Sequence, residues 1–205
     1  MIERRAIRLI LASASAARRD MLTRAGIGFD VEPARIDERA IQDALTGGEN
    51  EVEPADIAEL LAEAKARDVS LRNPGALVIG SDQVLNLGPL LLTKPADLAA
   101  VRATLKLLRG KTHHLHAGVA LARDGDIIWS TVETASLTMR RFSTAFLDTY
   151  VAAEGDDLCA CVGAFKLEGR GLQLFEQIDG DFFTILGMPL LPLLAALRAQ
   201  GAIAS

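Results

Sequence analysis

Hydroxyl and cationic side chains follow the first apolar run of the chain. Residues 7–12 form this run, and Ser13, Ser15, Arg18 and Arg19 come directly after it. Free backbone N–H groups at a helix N-terminus and the forked donors of arginine both favour a bound anion. The segment therefore predicts either a phosphate-binding loop or an ordinary helix that Ser15 caps while both arginines are solvated.

Acidic side chains are placed to act as proton acceptors or metal ligands. Asp82 follows the apolar run Leu77–Gly80, so we expect its carboxylate at a rigid strand end, which suits a catalytic base. The alternative is a turn aspartate that bonds to its own backbone. Asp37 and Glu38 form a second acidic pair, which a solvated turn would also explain. Two or three carboxylates near one strand end are typical of a Mg²⁺ site.

Several other signals have simpler explanations. Lys94 adds a cation near the expected Asp82 turn, although a solvent-exposed lysine would have the same pattern. The segment Gly110-Lys111-Thr112 ends like a phosphate-binding P-loop, but Leu105 stands where that motif needs a glycine. Gly169 and Gly171 lack the third glycine of a dinucleotide fingerprint. Neither familiar phosphate loop is therefore present.

Histidine, cysteine and aromatic residues also favour structural roles. His114 and His116 share one face of a strand, and without a third ligand nearby they are a weak zinc signal. Cys159 and Cys161 lack companions at zinc-finger spacing, so we expect buried thiols. The pair Phe182-Phe183 is expected in the core rather than as a platform for stacking a base. His113 is likewise interpreted as structural.

The composition excludes several classes of protein. The chain has 205 residues, a formal net charge of −5, and 50% hydrophobic against 24% charged residues. This balance excludes an intrinsically disordered chain, and the negative charge disfavours a nucleic-acid partner. Two cysteines indicate a reducing compartment, and no apolar run reaches the roughly 20 residues of a membrane span. We expect a single domain over residues 1–205, in the cytoplasm and without a membrane partner.

Strand and helix patterns alternate and predict one α/β domain with a mixed sheet. Strands are expected at 7–12, 29–33, 76–80, 112–123, 127–139 and 172–177, and the Asp124-Gly125 step predicts a hairpin. Helices are expected after Ser15 and at 54–69, 95–108, 143–153 and 189–200, with an irregular loop at 46–53. The strand at 76–80 is expected to deliver Ser81-Asp82-Gln83 into a turn.

Ordered motifs along nearly the whole chain resemble one known family. They are Leu9-Ile10-Leu11-Ala12-Ser13-x-Ser15-x-x-Arg18-Arg19, Asp37-Glu38, Leu61-Ala62-x-x-Lys65-Ala66, Ile79-Gly80-Ser81-Asp82-Gln83-Val84, Lys94-Pro95, Gly110-Lys111-Thr112-His113, Gly163-x-Phe165-Lys166-x-Glu168-Gly169 and Gly187-x-Pro189-Leu190. In this order they resemble the Maf family of nucleoside triphosphate pyrophosphatases. Several separated motifs in one order are much more specific than any single motif.

The resemblance implies an α/β fold related to the inosine triphosphate pyrophosphatases, with a mixed twisted sheet, flanking helices and a two-lobed cleft. It implies release of pyrophosphate from a nucleotide with a divalent metal, Mg²⁺ or Mn²⁺, which Glu38 and Asp82 would hold. Asp82 falls on the family's proposed proton acceptor. The other implied residues are Glu38 and Lys94 in catalysis, and Ser13, Ser15, Arg18, Lys65, Gln83, Lys166 and Glu168 in substrate binding. Family members often pair, so a homodimer is a further expectation.

Gln83 and the segment 165–169 resemble the subgroup that acts on 7-methyl-GTP rather than the one that acts on dTTP and UTP. A glutamate at position 168 can accept hydrogen bonds from guanine N1–H and the exocyclic amine, and methylation at N7 makes the ring cationic. Ala17 stands where that subgroup carries an aromatic residue. Action on dTTP, UTP or another modified nucleotide, or a catalytically weak nucleotide-binding regulator of cell division, are the alternatives.

Overall fold

A seven-stranded sheet forms the centre of the fold. The computed structural model describes residues 7–46 and 52–204. The strands are β1 (Leu9–Leu11), β2 (Asp30–Val31), β3 (Leu77–Leu87), β4 (Leu90–Leu92), β5 (Thr112–Arg123), β6 (Asp126–Met139) and β7 (Phe175–Asp179). The helices are α1 (Ala16–Arg24), α2 (Glu38–Thr46), α3 (Pro54–Arg72), α4 (Leu98–Leu108), α5 (Thr144–Glu154), α6 (Phe182–Ile185) and α7 (Leu190–Ala199). Two short 3₁₀ helices span Gly155–Ala160 and Arg170–Leu174.

The sheet is mixed, which confirms the predicted fold class. Its strand order is β2-β1-β3-β5-β6-β7, and β4 pairs with β3. β1 is parallel to β2 and β3, whereas the other pairs are antiparallel. The predicted hairpin is confirmed too, because β5 and β6 are joined at Asp124-Gly125, where both residues have positive φ. The two-lobed cleft and the single domain over residues 1–205 stay predictions.

β3 extends beyond its predicted end. The expected turn at residues 81–83 is wrong, because the strand continues to Leu87. Its pairing with β1 ends at Ile79, but its antiparallel pairing with β5 continues past Asp82, which lies opposite Gly118. The ladder to β5 supplies backbone hydrogen bonds that no local apolar pattern reveals. Asp82 therefore lies inside a strand, at the point where β1 no longer covers its other edge.

The sequence patterns miss two helices, α2 and α6. α2 begins at Glu38, inside the expected acidic turn, and the Asp37 carboxylate accepts from the amide of Ala40 at 3.0 Å. The Asp181 carboxylate caps α6 in the same way, accepting from the amide of Thr184 at 2.9 Å. Aspartate is a preferred N-cap residue, so both starts carry a local signal. Residues 47–51 of the expected loop at 46–53 lie outside the described residues.

Two large apolar clusters lie on the sheet. One contains Leu105, Leu147 and Phe165 and joins α4 and α5 to the segment between α5 and β7. The other packs α1 and α7 against Leu77 and Ile79 of β3. Because side chains alternate across a strand, the residues between those two positions face the opposite side, where α3 packs. β3 is consequently covered on both faces.

α3 lies close to the sheet because two strand residues lack side chains. A Cβ built on Gly80 would be 2.6 Å from the amide nitrogen of Ala66, and one on Gly118 would be 2.8 Å from that of Glu59. Such distances to backbone atoms are too short for real Cβ atoms. The facing residues of α3 are alanines spaced four apart, which share one face of a helix. Small residues on both sides thus set the separation of α3 and β3.

No helix among residues 7–46 and 52–204 is long and apolar enough to cross a lipid bilayer. The longest, α3, has 19 residues and includes several charged side chains. Cytoplasmic location and homodimer formation stay predictions.

We expect Gly80→Ala to lower the free energy of unfolding by about 2 kcal/mol, because the added methyl overpacks the contact between α3 and β3. Urea unfolding followed by circular dichroism measures this change. Gly28→Ala is the matched control, since a Cβ at Gly28 meets nothing within 4 Å, and it should change stability by less than about 0.5 kcal/mol. Equal stability of the two variants would contradict the packing argument.

Candidate active site

Two carboxylates meet at one buried lysine. The Lys65 ammonium lies 2.6 Å from Asp82 Oδ1 and 2.9 Å from Glu38 Oε2. The Lys65 and Asp82 side chains are only 8% and 10% exposed, whereas Glu38 is half exposed. We call Glu38, Lys65 and Asp82 the acid–lysine cluster. It combines a desolvated ion pair with an acidic group that reaches water.

Secondary structure places each member of this cluster. Lys65 lies in the middle of α3, next to the alanine face that packs on the sheet. Asp82 lies two residues after Gly80 on β3 and shares its face, so it meets α3 one step beyond the glycine contact. Glu38 is in the first turn of α2. The close packing of α3 on β3 is thus what brings lysine and aspartate together.

Arg18 ties three separate segments together beside this cluster. Its Nη1 donates to Ser81 O at 2.8 Å and to Ser13 Oγ at 3.2 Å, and its Nε donates to Gly187 O at 2.9 Å. Ser15 caps α1 by accepting from the Arg18 amide, as the sequence predicts. Arg19, by contrast, is exposed, so the predicted anion-binding pair contains a single buried arginine.

The Arg18 guanidinium is a buried charge close to both acids. Burial lowers the pKa of Arg18 from its ordinary value, while the negative charges of Asp82 and Glu38 raise it and offset part of that effect. Arg18 and Asp82 are therefore close neighbours, and their sharing of one functional site stays a prediction. Positive and negative groups here compensate one another in a region with little water.

The segment after α6 joins the same site from the other face of β3. Gln83 donates from Nε2 to the carbonyls of Thr184 and Ile185, both at 3.0 Å. Gly187 has a φ of 106°, which favours glycine, and a Cβ there would be 3.5 Å from both Arg18 Nη2 and Gln83 Oε1. The bend at Gly187 presents its carbonyl to Arg18 Nε and to the Ser81 hydroxyl, which both donate to it. Gln83 is predicted to bind substrate, and the structure places it beside Arg18.

Two further predicted residues, Lys166 and Glu168, lie in a second group on the 161–168 loop, residues Cys161–Glu168. Phe165 and Leu167 of this loop are buried, while Glu168 is exposed and Lys166 is partly exposed. The charged residues Lys166 and Glu168 therefore lie on either side of the buried side chain of Leu167. Lys94 follows β4 and is exposed. Burial raises the pKa of Cys161, and the smaller electrostatic effects on it come from Lys166, Glu168 and Lys94, so Lys94 lies near this loop.

Tight packing fixes the course of the 161–168 loop. The Phe165 ring packs edge-on against Phe175, with centroids 4.8 Å apart. A Cβ on Gly171 would be 2.9 Å from the Lys166 amide nitrogen, so the backbone approaches closely there. Ala164 has a φ of 58°, a conformation that costs an alanine about 1 kcal/mol and persists only where its surroundings enforce it.

The histidines have structural surroundings, as expected. His114 and His116 direct Nδ1 to hydroxyls of β6, at 2.9 and 2.8 Å respectively. His113 is fully buried between Phe165 and Phe175, and this burial lowers its pKa to about 4. Its ring is therefore neutral at physiological pH, and it serves as part of the apolar base under the 161–168 loop.

Two expectations need correction. Phe182 is nearly half exposed at the start of α6, so the expectation that it belongs to the core is wrong, whereas Phe183 packs against the α1 and α7 cluster. Cys159 and Cys161 are free thiols, but they are partly rather than fully buried. The exposure of these side chains depends on how α6 and the segment after α5 pack on the core, which local sequence does not reveal.

Comparison with known proteins identifies the family. The model of the Maf-like protein family matches residues 8–200. This chain belongs to the Maf family. It is 50% identical to a 7-methyl-GTP pyrophosphatase of Brucella abortus over 95% of this chain and 96% of that protein. It is also 51% identical to a nucleoside triphosphate pyrophosphatase of Nitrobacter winogradskyi, over 94% and 93% of the two chains.

Solved structures give a more distant likeness to this Maf chain. A nucleoside-triphosphatase described as a dITP/XTP pyrophosphatase from Mycobacterium abscessus is 12% identical, with a TM-score of 0.43 over 95% of both chains. A HAM1 protein from Coxiella burnetii is 14% identical, with a TM-score of 0.41 over 66% of this chain and 74% of that one. These scores are too low to support an argument, so the relation to inosine triphosphate pyrophosphatases stays a prediction.

The acid–lysine cluster also tests whether this Maf protein suits a divalent metal. Among the described residues, no three His, Cys, Asp or Glu side chains are placed to hold one ion. Asp82 and Glu38 do converge on one point, because each contacts Lys65 within 3 Å. Mg²⁺ is commonly held by one or two carboxylates together with substrate phosphates and water. The two carboxylates are therefore of the type that Mg²⁺ takes, but the point where they meet is occupied by the Lys65 ammonium, and metal binding stays a prediction.

Two side-chain contacts near the site are not predicted by the sequence. The Thr184 hydroxyl donates to Glu133 Oε2 at 2.8 Å, which ties the segment after α6 to β6. The Lys166 ammonium pairs with Asp157 Oδ2 at 2.6 Å. A glutamate within a strand carries no local signal of its partner. The Asp157 contact could have been suspected only from the acidic pair that precedes the loop.

We expect Lys65→Met to lower the free energy of unfolding by about 3 kcal/mol, because it leaves Asp82 buried without its partner. The double variant Lys65→Met with Asp82→Asn should recover part of this loss, since no unpaired carboxylate remains on β3. Urea unfolding at neutral pH measures both. Lys106→Met, which changes an exposed lysine on α4, is the control and should be nearly neutral. A Lys65→Met protein as stable as wild type would contradict the buried pair.

Proposed function

We propose that this protein hydrolyses a nucleoside triphosphate between its α- and β-phosphates, giving the nucleoside monophosphate and pyrophosphate. The observation that carries the proposal is the acid–lysine cluster beside buried Arg18, in a chain that matches the Maf family over residues 8–200. Relatives about 50% identical over nearly their whole length are named for this activity. The chain is therefore assigned to the hydrolases that act on acid anhydrides.

We assign the role of proton acceptor to Asp82. Lys65 contacts its Oδ1, and among the described residues its Oδ2 has no partner, so Oδ2 faces the reacting water in our proposal. Water attacks the α-phosphorus, the new P–O bond forms, and the bond to the bridging oxygen breaks. Pyrophosphate leaves with the bonding electron pair, while the proton passes from water to Asp82. Such reactions depend mainly on positioning and charge compensation.

The cations of the site are assigned to the phosphates. Lys65 belongs to the acid–lysine cluster and extends from α3. Arg18 stabilises the loop that contains Ser13 and Ser15, and the hydroxyls of these serines are proposed to donate to phosphate oxygens. Lys94 and Lys166 approach from the second group. Asp82 and Glu38 are the residues that would hold Mg²⁺ or Mn²⁺. When bound, the ion supplies positive charge against the phosphates.

The proposed substrate is 7-methyl-GTP. Glu168 is exposed at the end of the 161–168 loop, where its carboxylate can accept from the guanine N1–H and amine and attract a cationic ring. Names of relatives such as the Brucella abortus protein support this base. Hydrolysis of dTTP or UTP at higher rates would assign the chain to the other substrate class.

Turnover of a nucleotide panel tests the reaction. Purified protein is incubated with 7-methyl-GTP, GTP, dTTP and UTP, each with Mg²⁺ or Mn²⁺, and released pyrophosphate is measured. We expect Asp82→Asn to lower kcat at least about 100-fold, because general bases contribute roughly 10²–10⁴. The asparagine oxygen can still accept a hydrogen bond from Lys65, and Glu38 still compensates the charge of Lys65. The variant should therefore fold, and its circular dichroism spectrum should match that of the wild type. Binding of nucleotide without turnover by wild type would favour the regulator instead.

The base assignment has its own test. We expect Glu168→Gln to lower kcat/KM for 7-methyl-GTP by about tenfold, because hydrogen bonds to a charged group contribute about 1.5 kcal/mol or more. Its kcat/KM for GTP should fall less, since that ring carries no positive charge. Glu176→Gln, an exposed glutamate on β7, is the matched control. Equal losses on both nucleotides would remove Glu168 from selection for the methylated base.

A further inference from the structure

Lys166 lies between the acidic residues Asp157 and Glu168 in the sequence, and it is bonded to Asp157. Its ammonium is 2.6 Å from Asp157 Oδ2, in the first 3₁₀ helix, although the Asp157 side chain is 74% exposed. Glu168, two residues after Lys166, makes no ion pair within 4.0 Å in the described part of the chain. Among the described residues, the lysine is thus paired with one of these two carboxylates and not with the other.

The loop backbone places Glu168 on the same outer side as Lys166, so Asp157 and Glu168 can compete for the Lys166 ammonium. Leu167 is buried, so its neighbours Lys166 and Glu168 both extend from the outer side of the loop. The charge on Glu168 also contributes to raising the pKa of Lys166, after the larger effect of Asp157. Lys166 lowers the pKa of Asp157 in turn, through their hydrogen bond. Lys166 is therefore within electrostatic reach of Glu168 while bonded to Asp157.

A Lys166 ammonium released from Asp157 would still feel the charge of Glu168, which lies two residues away in the sequence. Pairing with Lys166 would cancel the charge of Glu168 and occupy one of its oxygens. A carboxylate in that state would attract a cationic ring less and offer fewer acceptor positions to a base. Asp157 prevents this pairing as long as it keeps the ammonium. Because the Lys166–Asp157 ion pair is exposed, its interaction energy is small and is screened by salt.

We propose that Asp157 is a specificity-determining residue, which holds Lys166 away from Glu168 and so keeps the Glu168 carboxylate available for a cationic purine. Asp157 acts through Lys166 and need not touch the substrate. This inference rests on the proposed action on 7-methyl-GTP. It adds Asp157, which lies outside the proposed base-binding loop, to the residues that affect substrate choice. It also predicts that the preference for 7-methyl-GTP over GTP depends on ionic strength.

The test is a double-mutant cycle on base selectivity, defined as kcat/KM for 7-methyl-GTP divided by kcat/KM for GTP. We expect Asp157→Asn to lower this ratio about two- to fivefold, the range that exposed ion pairs permit. In a Lys166→Gln background, where no ammonium can reach Glu168, Asp157→Asn should leave the ratio unchanged. Asp156→Asn removes the same charge one residue away and should retain the wild-type ratio. Circular dichroism and a thermal melt establish that each variant is folded.

A loss of equal size in both backgrounds would overturn the inference, because it would show an effect independent of Lys166. An unchanged ratio in Asp157→Asn, with a wild-type preference for 7-methyl-GTP, would overturn the inference alone. A wild-type enzyme that turns over both nucleotides without preference would overturn the proposed substrate and, with it, this role of Asp157. Repeating the cycle at high salt adds an independent measurement, in which the Asp157 effect should shrink.

Discussion

The contact between α3 and the sheet is the constraint on which the site depends. Gly80 and Gly118 let helix backbone approach strand backbone more closely than any side chain would permit. Lys65 and Asp82 continue the same two faces beyond this contact, and their ammonium and carboxylate are 2.6 Å apart with little exposure. The ion pair is therefore a consequence of backbone separation, and its desolvation makes each charge costly to leave without its partner.

Arg18 extends this constraint from β3 to two further segments. Its bonds to Ser13, to the carbonyl of Ser81 and to the bend at Gly187 hold the first loop and the segment after α6 against β3. These contacts occur where β1 has ended and β3 continues, so the open strand edge and the cations lie together. The 161–168 loop is built differently, on an aromatic base, with its charged residues turned outward. The structure thus combines a buried, charge-compensated region around Arg18 with an exposed charged region on the 161–168 loop.

Sequence reasoning succeeds where the signal is local or carried by a motif. The cap at Ser15, the hairpin at Asp124-Gly125 and the mixed sheet are all confirmed. It fails for the turn expected at Asp82, because the ladder between β3 and β5 depends on a strand more than 30 residues away, whose pairing register no local pattern contains. It also fails for Phe182, whose exposure depends on where α6 packs. The assignment of metal ligands and of substrate roles stays a prediction.

By itself, the amino-acid sequence determined the family and the chemical types available, because the motifs around Ser13, Asp82 and Glu168 keep their order and spacing. Tertiary structure alone decided which of these charged groups pair with one another. Lys65 bridges Asp82 and Glu38, Arg18 is used as a buried clamp, and Lys166 pairs with Asp157. Ion pairing depends on distances of a few ångströms and on loss of water, and those follow from packing between elements far apart in the chain.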